Sequence, residues 1–167
     1  MLGLDEVWWL VSPQNPLKAA AGMAPLAARL ASARNAARHP RIKASAIEAA
    51  LGTRYAIDTV AALQHRHPKT AFIWLAGADI LPELHRWHRW RGLMQRLPIA
   101  VLARPRYMGA ALRAPAMSWA RRWRRPQGAA THWPDWTLPA IVVLDIRATP
   151  VSATAIRAAD PDWATRN

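Results

Sequence analysis

Four short apolar runs punctuate the chain, each bounded by polar, glycine or proline residues: Glu6–Val11, Ala71–Leu75, Ile99–Leu102 and Ala140–Leu144. Runs of this length, apolar at nearly every position, predict buried β-strands. Arg41–Ile47 alternates weakly and is a fifth candidate. Helical spacing lies between them. Met23–Arg38 places Leu26 and Leu30 four residues apart on one face, with most of its arginines elsewhere on the wheel. Asp58–His67 reads as a helix with Asp58 near its start, where a carboxylate can cap free N–H groups. A helical pattern follows Gly77-Ala78-Asp79, another spans Trp87–Leu97, and the Arg- and Trp-rich stretch Ala110–Arg125 is a further candidate. Ser12–Lys18 holds two prolines and cannot be helical. Gly52–Ile57 and Gln127–Pro139 read as loops, and a short helix opens near Ser152.

Strands apolar on both faces, alternating with helices, predict an α/β fold with a doubly wound parallel sheet. Ligands of such sheets sit at the carboxyl ends of the strands. The polar clusters fall at those ends: Ser12–Lys18, Gly77–Asp79, Arg104 and the segment from Ser152. No repeat or linker interrupts the chain, so residues 1–167 are expected to form a single domain.

The 167 residues are 52% apolar, which excludes a disordered chain. No run approaches the roughly 18 apolar residues of a membrane span, and no basic n-region leads an apolar h-region at the start. There is no cysteine, hence no disulfide, thiolate zinc site or thiol nucleophile. A cytoplasmic protein is expected. The net charge of +13 comes from 20 arginines against 3 lysines. A GC-rich codon bias, which favours Ala, Arg and Pro together, is the plainer account of that excess; a polyanionic partner is the other.

Several segments suit chemistry. In Val151–Arg157, Ser152 and Thr154 stand at a helix start with Arg157 three residues on. Free N–H groups, the dipole, two hydroxyls and a guanidinium there suit a phosphate, although an N-cap serine and a surface arginine would leave the same pattern. Gly77 allows close approach to the backbone, and Asp79 can accept from a ribose hydroxyl or cap the next helix. Within Trp87-His88-Arg89-Trp90, an indole at a strand-end cleft can stack on an electron-poor ring. Packing on the sheet is the reading favoured for Trp90, and Trp87 is open between the two. The six histidines form no metal-ligand pattern. His65 and His67 point in different directions, and His85 and His88 lack a carboxylate cluster, so all read as surface residues. Arg121–Arg125 could grip a phosphate backbone with Trp123 stacking, but a solvated helix face explains it better.

Taken together, Trp8–Lys18 (WWLVSPQNPLK), Arg54–Val60 (RYAIDTV), Phe72–Trp90 (FIWLAGADILPELHRWHRW), Val101–Tyr107 (VLARPRY) and Val151–Arg157 (VSATAIR) resemble, in order and spacing, the nicotinate-nucleotide adenylyltransferase family of the nucleotidyltransferase superfamily. The resemblance implies a Rossmann-like fold and transfer of AMP from ATP to nicotinate mononucleotide in NAD biosynthesis, with Mg²⁺ accompanying ATP and held mainly by its phosphates. It implies ATP-phosphate binding by Ser152, Thr154 and Arg157, and nucleotide or ribose contacts at Gly77 and Asp79. Tyr55, Thr59 and Trp87 would form the nicotinate side, Trp87 by stacking on the pyridine ring and backbone amides near Tyr55 and Thr59 by meeting the ring's carboxylate. Asn15, Lys18 and Arg104 would be further phosphate or substrate contacts. Arg106 stands where many members carry glycine.

The family opens with a strand, a Gly-rich turn and an H-x-G-H motif whose histidines bind the ATP phosphates. This sequence carries no such motif, and Met1–Asp5 resembles the segment that follows it. The expectation is therefore a sheet lacking its first, central strand, an incomplete domain at the N-terminus and impaired catalysis, with no catalytic residue assigned. In the order 3-2-1-4-5 the Trp8 and Ile73 strands would then stand roughly 9–10 Å apart, each with an open edge. Two other readings are a non-catalytic nucleotide-binding relic and a basic nucleic-acid-binding protein using Arg113–Arg125. Neither nucleic acid nor a membrane is the expected partner, and the sequence gives no oligomeric state.

Overall fold

The computed structural model describes residues 1–14, 23–146 and 158–159. Two compact units emerge: Met1–Gly3 with Tyr55–Ala148, and Leu4–Arg54 with Thr149–Asn167.

In the second unit, β1 (Val7–Leu10) and β2 (Ile42–Ser45) form a parallel pair, with Val7 opposite Ile42 and Leu10 opposite Ser45. Parallel pairing requires a crossover, which α1 (Leu26–Ala36) supplies. A short helix not read from the sequence, α2 (Ile47–Leu51), follows β2 and ends at Gly52. That glycine takes φ +64°, the left-handed conformation that closes a helix at no steric cost.

The other unit holds a four-stranded sheet in the order β3-β4-β6-β5, every pairing parallel. Its strands are β3 (Trp74–Gly77), β4 (Ile99–Leu102), β5 (Arg124–Arg125) and β6 (Ile141–Leu144). Its helices are α3 (Ala56–Arg66), α4 (Leu81–Leu84), α5 (Trp90–Arg96), α6 (Pro105–Arg113) and α7 (Pro115–Ala120). Both faces of the central strands are buried. Ile99, Val101 and Ile141 point to one face and pack with Leu81, Leu84, Met94 and Met117. Ala100 and Val142, one residue out of phase, are 0% exposed on the other. On α3 and α5, Ile57 and Val60 pack with Leu93, beside Leu97 just beyond α5.

The α/β class and the parallel strands follow the sequence reading. Four details differ. The run Ala71–Leu75 pairs only from Trp74, whose N–H donates to Pro98 O at 2.9 Å, because the ladder begins where β4 supplies a partner. Ala110–Arg125 is not one helix. Pro115 lacks an N–H and forces Ala114 to ψ 144°, which separates α6 from α7. Beyond α7, Arg124–Arg125 joins the sheet as its edge strand. Gln127–Asp135, read as loop, is a kinked run of 3₁₀ turns, and Trp133 within it donates to Leu2 O at 2.9 Å.

Among the described strands, β1 pairs only with β2, and β3 pairs only with β4.

Candidate active site

The carboxyl ends of β3 and β4 lie side by side, because Gly77 pairs with Leu102. Two residues past each strand stand Asp79 and Arg104. Arg104 Nη1 meets Asp79 Oδ2 at 3.4 Å, an ion pair with the arginine side chain 54% and the carboxylate side chain 35% exposed. Gly77 lies directly beneath. A Cβ there would overlap Asp79 Oδ1 and come within 3.4 Å of Arg104 Nε. Gly77, Asp79 and Arg104, singled out separately in the sequence, thus form one contiguous group. The glycine is needed for side-chain room, since its own φ of −72° is open to any residue. Asp79 does not cap the next helix, as no side-chain cap is made at either Gly77 or Ile80.

Arg104 occupies the N-cap position of α6 with extended backbone, and Pro105 begins the helix. A guanidinium at a helix N-terminus, with the positive dipole end beside it, makes that corner attractive to an anion. Arg106, where many family members carry glycine, is the second residue of α6.

Tyr55 is the N-cap residue of α3 in extended conformation, half-buried against Ile57, Val60, Leu93 and Leu97. Thr59 is fully buried, and its hydroxyl donates to Tyr55 O at 3.2 Å. The threonine therefore fixes the first turn of α3 beneath Tyr55 and does not itself meet solvent. Asp58 lies in that turn, yet no side chain caps the helix; its carboxylate sits beside the dipole without the expected hydrogen bond.

Trp87 is half-buried and packs edge-on to Trp74, with ring centroids 6.1 Å apart at 83°. It touches both core clusters of its unit, so the packing reading holds for much of the indole, and the remainder stays exposed. Trp90 packs as expected, 5.2 Å from Trp119. His88 stacks on Tyr55 with centroids 4.3 Å apart and planes 30° from parallel. Sequence reasoning left it a surface histidine; only its place next to Trp87 marked it out. Arg122 lies over Trp123 at 4.1 Å, so part of the basic stretch is engaged with its own aromatics.

In the second unit, the turn after β1 is tied from two helices. Arg29 Nη1 and Nη2 donate to Ser12 O and Pro13 O at 2.6 and 2.9 Å. Ser12 Oγ donates to Glu48, which is 5% exposed. The expected contacts Asn15, Lys18, Ser152, Thr154 and Arg157 lie outside the described residues. Among the described residues no three His, Cys, Asp or Glu side chains gather where they could hold a metal. No described helix is long and apolar enough to cross a membrane.

Residues 1–159 match the cytidylyltransferase-like family. The chain belongs to that family. It is 50% identical over 165 residues to a protein of Erythrobacter litoralis named "Probable nicotinate-nucleotide adenylyltransferase", spanning 99% of this chain and 75% of that one. A Parvibaculum lavamentivorans protein of the same name is 52% identical over 156 residues, or 93% of this chain and 78% of the relative. A third, from Cereibacter sphaeroides, is 46% identical over 160 residues, or 91% of this chain and 82% of the relative. The family resemblance read from five motifs is thereby borne out, and with it the nucleotidyltransferase class of enzyme.

Proposed function

We propose that this chain carries out the reaction its relatives are named for, joining the AMP of ATP to nicotinate mononucleotide to give deamido-NAD and pyrophosphate. A phosphate oxygen of the mononucleotide forms a bond to the α-phosphorus of ATP. The bond from that phosphorus to the oxygen bridging toward the β-phosphorus breaks, and pyrophosphate leaves with the electron pair. Protein nucleophiles have no part in such a displacement, so placement of the phosphates and of compensating charge carries the catalysis.

In this reading Gly77 and Asp79 meet nucleotide backbone or ribose. Arg104 offers its guanidinium to phosphate, exchanging part of its contact with Asp79. Trp87 stacks on the pyridine ring through its exposed portion. Tyr55 lines the nicotinate side, with Thr59 holding its carbonyl. Asn15 and Lys18 are further substrate contacts, and Ser152, Thr154 and Arg157 hold the ATP phosphates. Residues 1–167 act as one nucleotidyltransferase-like domain in the cytoplasm. Mg²⁺ enters as part of the substrate, magnesium-bound ATP. The described residues offer it no carboxylate cage, and Asp79 is already engaged by Arg104.

The observation that carries the reading is the convergence of Gly77, Asp79 and Arg104 at the ligand-binding end of two adjacent parallel strands, in a chain half identical to the named relatives. The test combines calorimetry with nicotinate mononucleotide and measurement of pyrophosphate released from magnesium-bound ATP. Mononucleotide affinity should fall on the order of tenfold in Trp87→Ala, the size expected for losing one ring stack. Absence of both mononucleotide binding and pyrophosphate would overturn the proposal.

A further inference from the structure

Three indoles stand in a row on the unit that carries β3 to β6. Trp90 opens α5, Trp119 lies in α7, and Trp123 closes the 3₁₀ turn that follows α7. Trp90 and Trp119 meet edge to face with centroids 5.2 Å apart, and Trp119 and Trp123 tilt against each other at 4.6 Å. Trp90 and Trp119 pack inward on the core, yet all three rings keep part of their surface open. Two guanidinium groups lie on this row. Arg91 sits 5.0 Å from the Trp90 centroid and 5.9 Å from that of Trp119, and Arg122 sits 4.1 Å from that of Trp123. A guanidinium held on an indole is oriented through its face, which leaves the N–H groups of its rim for an acceptor. Arg91, Arg121, Arg122 and Arg124 are exposed and make no ion pair with the described residues. The chain around them supplies no counter-charge, because between Glu83 and Asp135 stand eleven arginines and no acidic residue. The sequence favours a solvated helix face for Arg121–Arg125. The segment is instead a 3₁₀ turn followed by an edge strand, joined through Trp123 to the indoles of α7 and α5.

We propose that this row of indoles, flanked by guanidinium groups, binds single-stranded nucleic acid, with phosphates on the arginine rims and bases on the guanidinium planes and open indole surface. A single strand exposes base faces that a duplex keeps stacked inside, and both indoles and guanidinium planes accept them. A lipid surface is the poorer match. An interfacial anchor presents exposed apolar side chains, and the large ones exposed among the described residues, Met1, Trp9, Met23, Tyr107 and Leu112, all lie outside the row. No residue given a part in adenylyl transfer belongs to the row, so the inference stands independently of the proposed function.

The test is fluorescence anisotropy of a labelled oligouridylate of about twelve nucleotides, titrated with the full chain across a salt series. Wild type should bind, with affinity that falls steeply as salt rises. Arg122→Gln should weaken binding on the order of tenfold, the loss of one charged contact, and lower the slope of log affinity against log salt by about 0.7. Arg122→Lys keeps the charge and loses the planar group, so it should keep the slope and still bind severalfold more weakly. Arg38→Gln removes an equally exposed charge from the other unit and should change neither quantity. Equal losses in Arg122→Gln and Arg38→Gln would reduce the effect to net charge and overturn the inference. So would a duplex of equal length bound as tightly, displacement of the oligouridylate by magnesium-bound ATP, or no binding at about 0.15 M salt. Capture by vesicles of anionic phospholipid without oligouridylate binding would assign the row to a membrane and overturn it as well.

Discussion

Gly77 supports the nucleotide corner by what it lacks. In Gly77→Ala the new methyl would overlap the Asp79 carboxylate and crowd Arg104, so the pair must separate. The expected outcome is a loss of nucleotide affinity on the order of tenfold with little change in melting temperature, because an exposed ion pair contributes only about 0–1 kcal/mol. Calorimetric titration beside a thermal melt checks both halves. Thr59 is the converse case, a fully buried side chain. Thr59→Val keeps its volume and leaves the Tyr55 carbonyl without that donor, which should cost about 1 kcal/mol in denaturant unfolding. These roles were only half legible in the chain. Gly77, Asp79 and Arg104 were marked as candidates, but their mutual contact depends on the register of two strands distant in sequence. His88 was passed over because a histidine in a run of arginines and tryptophans carries no local sign of an aromatic partner far upstream.

At the level of elements, the close crossing of α3 and α5 turns on Gly92. Gly92→Ala should stay within about 1 kcal/mol of wild type, since the helix gains propensity while the flexible end of Ile57 yields. Gly92→Leu should destabilise by about 1–3 kcal/mol through overpacking against Ile57, as measured by chemical denaturation. β4 was read to the residue because its four positions are all apolar and paired along their length. β5 could not be read, since Arg-Arg has no strand pattern and becomes one only by lying against Ile141 and Val142. Pro115 shows the opposite bias. The composition of Ala110–Arg125 favours helix throughout, and one missing N–H divides it.

Across the whole molecule, charge stands out. A net +13 on 167 residues repels itself in the folded state more than in an expanded one. Raising ionic strength from about 0.01 M to about 0.15 M shortens the screening length from about 30 to about 8 Å, and the melting temperature should rise. Calorimetric scans across a salt series check this, and a flat or falling series would contradict it. The order of apolar runs and helical periods by itself determined the α/β class, the parallel strands and which strand ends carry polar residues, because those depend on spacing along the chain. Five motifs in order determined the family. Tertiary structure alone decided where β3 begins, that Arg124–Arg125 is a strand, that Asp79 pairs with Arg104 instead of capping a helix, and that His88 lies on Tyr55. Each depends on a partner brought close by ladder register or helix packing, and a local pattern holds no record of that distance.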